Sequence, residues 1–246
     1  MKKLHYVLPM AGGGTRFGGK EFHLPKPMIE IQGRPFFYWA AQSIYKFVKV
    51  ADITFVILKQ HAVEHGLEEM ILKYYPNARI VKLDHVLNGA VLTCLEGCKG
   101  IEDDTPILFN DCDHLFCSKK FNEFLLSEKE EKVDGALLTF KSDSAAYSYA
   151  DIDVNGKVKR TVEKQVVSNE AICGAYYFRN AGVFEKAAEK YLTKCAYKEF
   201  FLSGVYNIMA EEKQEIVTFP TDLHIPFGTP MEYDMAVNRK EFIDFL

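Results

Sequence analysis

Apolar, strand-prone runs recur along the chain at Tyr6–Leu8, Ile53–Leu58, Ala78–Lys82, Pro106–Asn110, Asp134–Thr139 and Ile172–Phe178. In the first half they alternate with segments whose apolar positions repeat at helical spacing, Phe36–Phe47, Val63–Tyr75 and Gly89–Lys99. Strand then helix, repeated, predicts an α/β fold: a mixed, mostly parallel sheet with helices on both faces and ligands gathered beyond the carboxyl ends of the strands. The pattern changes from Tyr149 to Glu163, where two short strand patterns flank Asn155-Gly156, a strong hairpin turn. Further helices are predicted over Ala181–Leu192 and Glu199–Glu212. No repeat, low-complexity tract or linker interrupts the series, so one Rossmann-like domain over residues 1–246 is expected.

Length and composition agree with that picture. A chain of 246 residues, 48% hydrophobic, can bury one sizeable core. Its net charge of −4 and pI near 6.0 argue against nucleic acid as a partner. The start MKKLHYVLPM briefly resembles a signal peptide, but Pro9 and the glycines cut the apolar run short, and no stretch reaches the roughly 18 apolar residues of a membrane helix. A cytoplasmic protein without membrane partners is expected. Cys94, Cys98, Cys112, Cys117, Cys173 and Cys195 read as reduced, buried thiols, because the paired spacings are wider than CxxC, Cys94 and Cys98 fall at i, i+4 in a helical pattern, and no export signal accompanies them. The aromatic run Phe36, Phe37, Tyr38 and Trp39 leaves core and interface open, and with the latter a homo-oligomer.

Chemistry concentrates between Tyr6 and Pro35. An apolar strand leads into Met10, Ala11, Gly12, Gly13, Gly14, Thr15 and Arg16, where glycines permit positive φ and close approach to a ligand. Successive backbone amides there form an anion-binding concavity, and the Arg16 guanidinium adds a fork of donors. Lys26 lies between Pro25 and Pro27, which predicts a stiff extended segment aiming its charge at one place. A tight turn explains the glycines alone equally well. The run is not a P-loop, since Lys20 is followed by Glu21, and Phe17 breaks the dinucleotide fingerprint.

Three further motifs follow. Asn110-Asp111-Cys112-Asp113-His114 comes directly after an apolar run, so Asp111 and Asp113 can meet one hard cation such as Mg²⁺, or simply form an acidic turn. Asn88-Gly89-Ala90 precedes a helix, where Asn88 is a natural cap and Gly89 lets a flat base approach the backbone. Glu163-Lys164 closes the hairpin as a surface pair or as a ligand contact.

The order LPMAGGGTRF, then PKPMIEIQGRPFFYW, then VEK before GAYYF resembles the nucleotidyltransferases that make sugar nucleotides, the sugar-1-phosphate pyrophosphorylases and their cytidylyltransferase relatives. The resemblance implies a nucleotide-diphospho-sugar transferase fold and attack of a phosphomonoester on the α-phosphorus of an NTP, with Mg²⁺ as cofactor and pyrophosphate released. It places Arg16 and Lys26 as catalytic cations, with Met10 to Thr15, Asn88, Gly89, Ala90 and Asp111 at the nucleotide. Asp113, with Asp111 as a second candidate, falls at the metal. Ser148, Tyr149, Glu163, Lys164 and Gly174 fall at the small phosphorylated acceptor, Gly174 by clearing room for it. A sugar phosphate activated for capsule or lipopolysaccharide-type glycan is the expected product line. Pro226 stands where the family often has an aspartate before Gly228-Thr229, so either Asp111 and Asp113 suffice, with Asp222 reaching in, or the metal geometry differs from that of the larger enzymes. Two other readings stay open: a metal-dependent glycosyltransferase of the GT-A type using Asp111 and Asp113, and a non-catalytic nucleotide-binding module.

Overall fold

His5–Pro9 forms the first strand, β1, and its alternation divides the core: Tyr6 and Leu8 enter one buried cluster, Val7 the other. Side chains alternate across a strand, so a sheet covered on both faces needs an unbroken apolar run of this kind. The computed structural model describes residues 4–18, 23–127, 132–154 and 156–245. The P-loop comparison at Lys20 and Glu21 and the turn residue Asn155 lie outside them.

After β1 come β2 (Glu30–Ile31), β3 (Arg34–Pro35), α1 (Phe36–Tyr45), β4 (Asp52–Leu58), α2 (Lys59–His65), α3 (Leu67–Tyr74), β5 (Arg79–Leu83) and α4 (Ala90–Cys98). The next elements are β6 (Ile107–Asn110), β7 (His114–Cys117), α5 (Lys119–Leu125), β8 (Gly135–Lys141), β9 (Ser148–Ile152), β10 (Val158–Glu163) and β11 (Glu170–Phe178). The chain continues through α6 (Ala181–Lys194), α7 (Val205–Glu211), β12 (Ile216–Pro220), β13 (Leu223–Pro226), α8 (Pro230–Ala236) and α9 (Glu241–Asp244). The main sheet runs β10-β9-β11-β6-β1-β4-β5, with β8 on β11 and β12 on β8. Pairings β1–β4, β1–β6, β4–β5 and β8–β12 are parallel, whereas β11 is antiparallel to β6, β8 and β9. The expected α/β class and mixed, mostly parallel sheet are therefore present.

Two expected elements change. The helix expected over Val63–Tyr75 begins earlier and breaks at Gly66, whose φ of +68 ends α2 and opens α3. Glu199–Glu212 is helical only from the turn at Leu202–Gly204 through α7. The aromatic run resolves as core: Phe36, Phe37 and Trp39 are fully buried. Phe36 and Trp39 belong to a third cluster joining Phe17, Ile225, Phe227, Phe242 and Phe245, and Trp39 Nε1 donates to the Ile31 carbonyl at 2.9 Å. That cluster clamps the base of the glycine loop, through Phe17, to the C-terminal helices. Cys94, Cys98, Cys112 and Cys173 are buried as expected, but Cys117 and Cys195 are partly exposed. Among the described residues no helix is long and apolar enough to cross a membrane.

Candidate active site

β1 and β6 are parallel neighbours, with His5 opposite Ile107 and Val7 opposite Phe109, so the glycine loop and the Asp111–Asp113 motif leave the same sheet edge side by side. Two cavities open there. The smaller, about 470 Å³, lies between Gly12, Gly13 and Thr15 and the Leu87–Ala90 turn. The larger, about 710 Å³, is lined by Arg16, Asp111, Asp113, Ser148, Glu163 and Lys164 among others.

The glycine loop divides its work. Of its three consecutive glycines only Gly14 takes a positive φ, +60, and a Cβ there would sit 3.4 Å from Cβ of Lys26. Gly14 thus brings the loop against the lysine segment rather than lining a cavity. Lys26 is not extended as expected but begins a 3-10 turn, Lys26–Met28, in which Pro27 occupies a first-turn position that needs no N–H. Met10 lines neither cavity: its side chain is 2% exposed in the core and its N–H donates to Val56 O at 2.7 Å.

Lys26 Nζ lies 2.5 Å from Asp113 Oδ2, with both side chains 21% exposed. Burial works against both charges, but each outweighs it for the other. Burial notwithstanding, Lys26, His114 and Arg16 hold the Asp113 carboxyl down at about 2, and Asp113 raises Lys26. Asp111 goes the other way: burial first, then the Asp113 charge, push it up to about 7. Two glycines make room for these carboxylates. Gly174, with φ +93 at the irregular point of β11, would place a Cβ 2.7 Å from Asp111 Oδ2, and a Cβ on Gly228 would overlap Asp113. Gly174 therefore clears space for Asp111, and it also lines the larger cavity.

Behind the acids a buried chain fixes the motif. His114 Nε2 meets Asn110 Oδ1 at 2.8 Å, and Asn110 Nδ2 donates to Tyr6 Oη at 2.8 Å and to the Ala40 carbonyl. Burial lowers His114 to about 4 and His224 to about 3, so both rings are neutral near neutral pH.

The far wall differs from expectation in one residue. Tyr149 is fully buried, its hydroxyl donating to Ser144 O at 2.8 Å, because strand alternation turns it inward. Ser148 faces the larger cavity and donates to Glu163, and Tyr147 lines the cavity while donating to Glu232 Oε1 at 2.9 Å. Ser203 also donates to Glu163, at 3.2 Å. Lys164 adopts φ +54, its N–H bonded to Tyr147 O, and its ammonium lies 5.0 Å from the centre of the Phe201 ring. Such left-handed backbone away from glycine persists only where its surroundings hold it.

Around Asn88 the sequence pattern misled. The cap of α4 is Gly89, with no side-chain hydrogen bond, so Asn88 does not cap. Gly89 has φ +105 and would overlap the Phe200 backbone if it carried a Cβ, so the Phe200 backbone by itself requires a glycine there. Asn88, Gly89 and Ala90 nevertheless line the smaller cavity. Asp222 does not replace the absent aspartate, because its carboxylate accepts the Lys119 N–H at 2.7 Å at the start of α5.

Tyr147, Glu199, Phe201, Ser203 and Glu232 line the larger cavity unheralded by any motif. Their positions depend on chain reversals, the β9–β10 hairpin, the segment after α6 and the β13 pairing with β7, which local pattern does not encode. The residues fit a hard divalent cation only in part. Among the described residues no three His, Cys, Asp or Glu side chains gather as a metal group. Asp111 and Asp113 can supply two carboxylates, and magnesium binds well to one or two carboxylates completed by water and substrate phosphates.

A glycine loop and two acidic residues at adjacent carboxyl ends of an α/β sheet, opening onto adjoining cavities, define a nucleotide-binding class of protein. Residues 7–224 match the family described as Nucleotidyl transferase, and the chain belongs to that family. It is similar to a probable mannose-1-phosphate guanyltransferase of Schizosaccharomyces pombe, 23% identical over 244 residues that cover 93% of this chain and 56% of the relative. It is also similar to the bifunctional protein GlmU of Fervidobacterium nodosum, 25% identical over 86% of this chain and 45% of the relative. The chain spans about half the length of the curated relatives it matches. In fold it resembles the nucleoside-diphosphate-sugar pyrophosphorylase from Vibrio cholerae RC9, with a TM-score of 0.82, 20% identity, and coverage of 95% of this chain and 100% of the other. The inositol-1-phosphate CTP transferase from T. maritima superposes with a TM-score of 0.76 and 15% identity, over 99% of this chain and 94% of the other.

Proposed function

We propose that the chain transfers a nucleotidyl group from an NTP to the phosphate of a small metabolite, foremost a sugar phosphate, for capsule or lipopolysaccharide-type glycan synthesis. One observation carries the reading: the glycine-loop cavity adjoins, through Thr15, Ala90 and Glu199, the larger cavity lined by Arg16, Asp111, Asp113, Glu163 and Lys164, with Lys26 paired to Asp113. A triphosphate lies along the amides of Gly12, Gly13 and Thr15, and the base rests at Leu87–Ala90. The acceptor occupies the larger cavity, its phosphate near Lys164 and its hydroxyls facing Glu163, which Ser148 and Ser203 orient.

An acceptor phosphate oxygen forms a bond to the α-phosphorus while the bond to the pyrophosphate bridging oxygen breaks, the electron pair leaving with pyrophosphate. Arg16 and Lys26 stabilise negative charge as it shifts between these oxygens. Asp111 and Asp113 would hold Mg²⁺, which when bound supplies further charge neutralisation at the phosphates.

Incubation with each of four NTPs, Mg²⁺ and a panel of sugar and alcohol phosphates should release pyrophosphate. Silence across the whole panel would refute the proposal. Lys26→Ala and Asp113→Asn should each lower turnover by about 100-fold or more while far-ultraviolet circular dichroism stays native; near-normal rates in either variant would remove it from the mechanism.

A further inference from the structure

The two cavities share the lining residues Thr15, Ala90 and Glu199. Glu199 stands out because it is exposed and its carboxylate has no hydrogen bond or ion pair among the described residues; only its backbone carbonyl accepts a contact, from Cys195 Sγ at 3.8 Å. Its position is nevertheless constrained. The next residue, Phe200, donates its N–H to Asn88 O at 3.3 Å and accepts from Val91 N at 3.1 Å. Gly89 gives way to that same backbone, so the segment from Glu199 to Leu202 is seated directly on the turn that walls the smaller cavity.

This seating makes Glu199 part of the smaller cavity's wall, together with both ends of the proposed nucleotide site. Gly12, Gly13 and Thr15 mark the phosphate end, and Leu87 to Ala90 mark the base end. In any NTP the sugar joins those two parts, so it passes the Glu199 wall. A carboxylate there repels phosphate and accepts hydrogen bonds from neutral donors, and vicinal hydroxyls match its two oxygens. An acidic side chain bonded to a ribose hydroxyl is a recurrent solution in nucleotide-binding α/β folds.

We infer that Glu199 accepts hydrogen bonds from the ribose 2′- and 3′-hydroxyls and makes the chain selective for ribonucleoside over 2′-deoxyribonucleoside triphosphates. The inference rests on the NTP placement proposed above, and binding alone can test it. Removing the 2′-hydroxyl leaves one carboxylate oxygen without its donor, which predicts a preference of about tenfold or more.

Equilibrium dialysis of the full chain with ATP, GTP, CTP and UTP, each against its 2′-deoxy counterpart, measures that preference. For whichever base binds tightest, the ribonucleotide should bind about tenfold more tightly or better. Glu199→Ala should bring the two within about twofold by weakening the ribonucleotide alone, and Glu199→Asp should retain part of the difference. Equal binding by the unsubstituted protein overturns the inference. So does an unchanged ratio in Glu199→Ala, or a loss that falls on the acceptor's KM instead. If nucleotides bind with the expected ratio but pyrophosphate never forms, Glu199 keeps its role and the catalytic proposal falls.

Discussion

Changing Asp111 to Asn should make the protein more stable while abolishing the activity proposed for it, and the gain should grow with pH. The carboxyl is raised from 3.8 to about 7 by burial and by the neighbouring Asp113 charge. Below pH 3.8 the folded and unfolded chains both carry the proton, and the group costs nothing. Between that value and about 7 the unfolded chain ionises while the folded chain does not, so stability falls as pH rises, then levels off. At about 1.36 kcal/mol per pH unit, the displacement corresponds to a cost on the order of 4 kcal/mol above the upper value. Asn cannot ionise and escapes that cost, while Asp113 titrates in both proteins and cancels from the difference. Relaxation around the amide lowers the gain, leaving about 2 kcal/mol or more. Urea unfolding of both proteins from about pH 4 to about pH 8 measures it. The difference should start near its minimum, climb through the acid range and flatten near neutrality. A difference independent of pH, or an Asn variant less stable at the alkaline end, would refute the reasoning. Mg²⁺ should raise the melting temperature of the unsubstituted protein more than that of Asp111→Asn, because a bound cation favours the ionised carboxylate.

Two further substitutions test the supports of the site. Gly174→Ala combines a positive φ with a Cβ 2.7 Å from Asp111 Oδ2; it should cost about 2 kcal/mol or more in urea unfolding, and a neutral effect would contradict the packing described. Tyr147→Phe removes the hydroxyl that donates to Glu232; a stability loss of about 0.5–1.5 kcal/mol should accompany a raised acceptor KM, with the KM for NTP unchanged. A shift in the NTP value alone would place Tyr147 on the wrong side of the site.

Lys26 shows how far linear reading reaches. Its importance is legible from the flanking prolines and the glycine loop ten residues earlier, but its partner is 87 positions away, and only the tertiary structure brings Asp113 to 2.5 Å. Gly89 and Gly174 show the limit more sharply. Both stand out as glycines near a site, yet what each makes room for, Phe200 backbone and Asp111 carboxylate, is a through-space neighbour that no spacing rule encodes. Tyr149 and Tyr147 differ by the two-residue period of an extended chain plus a turn. The turn, held by Tyr149 Oη on Ser144 O, decides which phenol faces the cavity.

By itself the sequence determined the alternation of strand and helix, because buried strands need continuous apolar runs and helices an apolar stripe, and both are written in local spacing. It also located the glycine loop, Lys26, the acidic pair and Glu163-Lys164, since each is a short segment whose chemistry depends on adjacent residues. The tertiary structure decided everything that depends on convergence. It drives the two aspartates apart in protonation, one up to about 7 and one down to about 2, because burial and the Asp113 charge raise Asp111 while Lys26 pairs directly with Asp113. It also sets Glu199 on the wall between two cavities, because Phe200 pairs with a turn more than a hundred residues earlier. Electrostatic coupling and shared walls are properties of distance in space, and distance along the chain does not carry them.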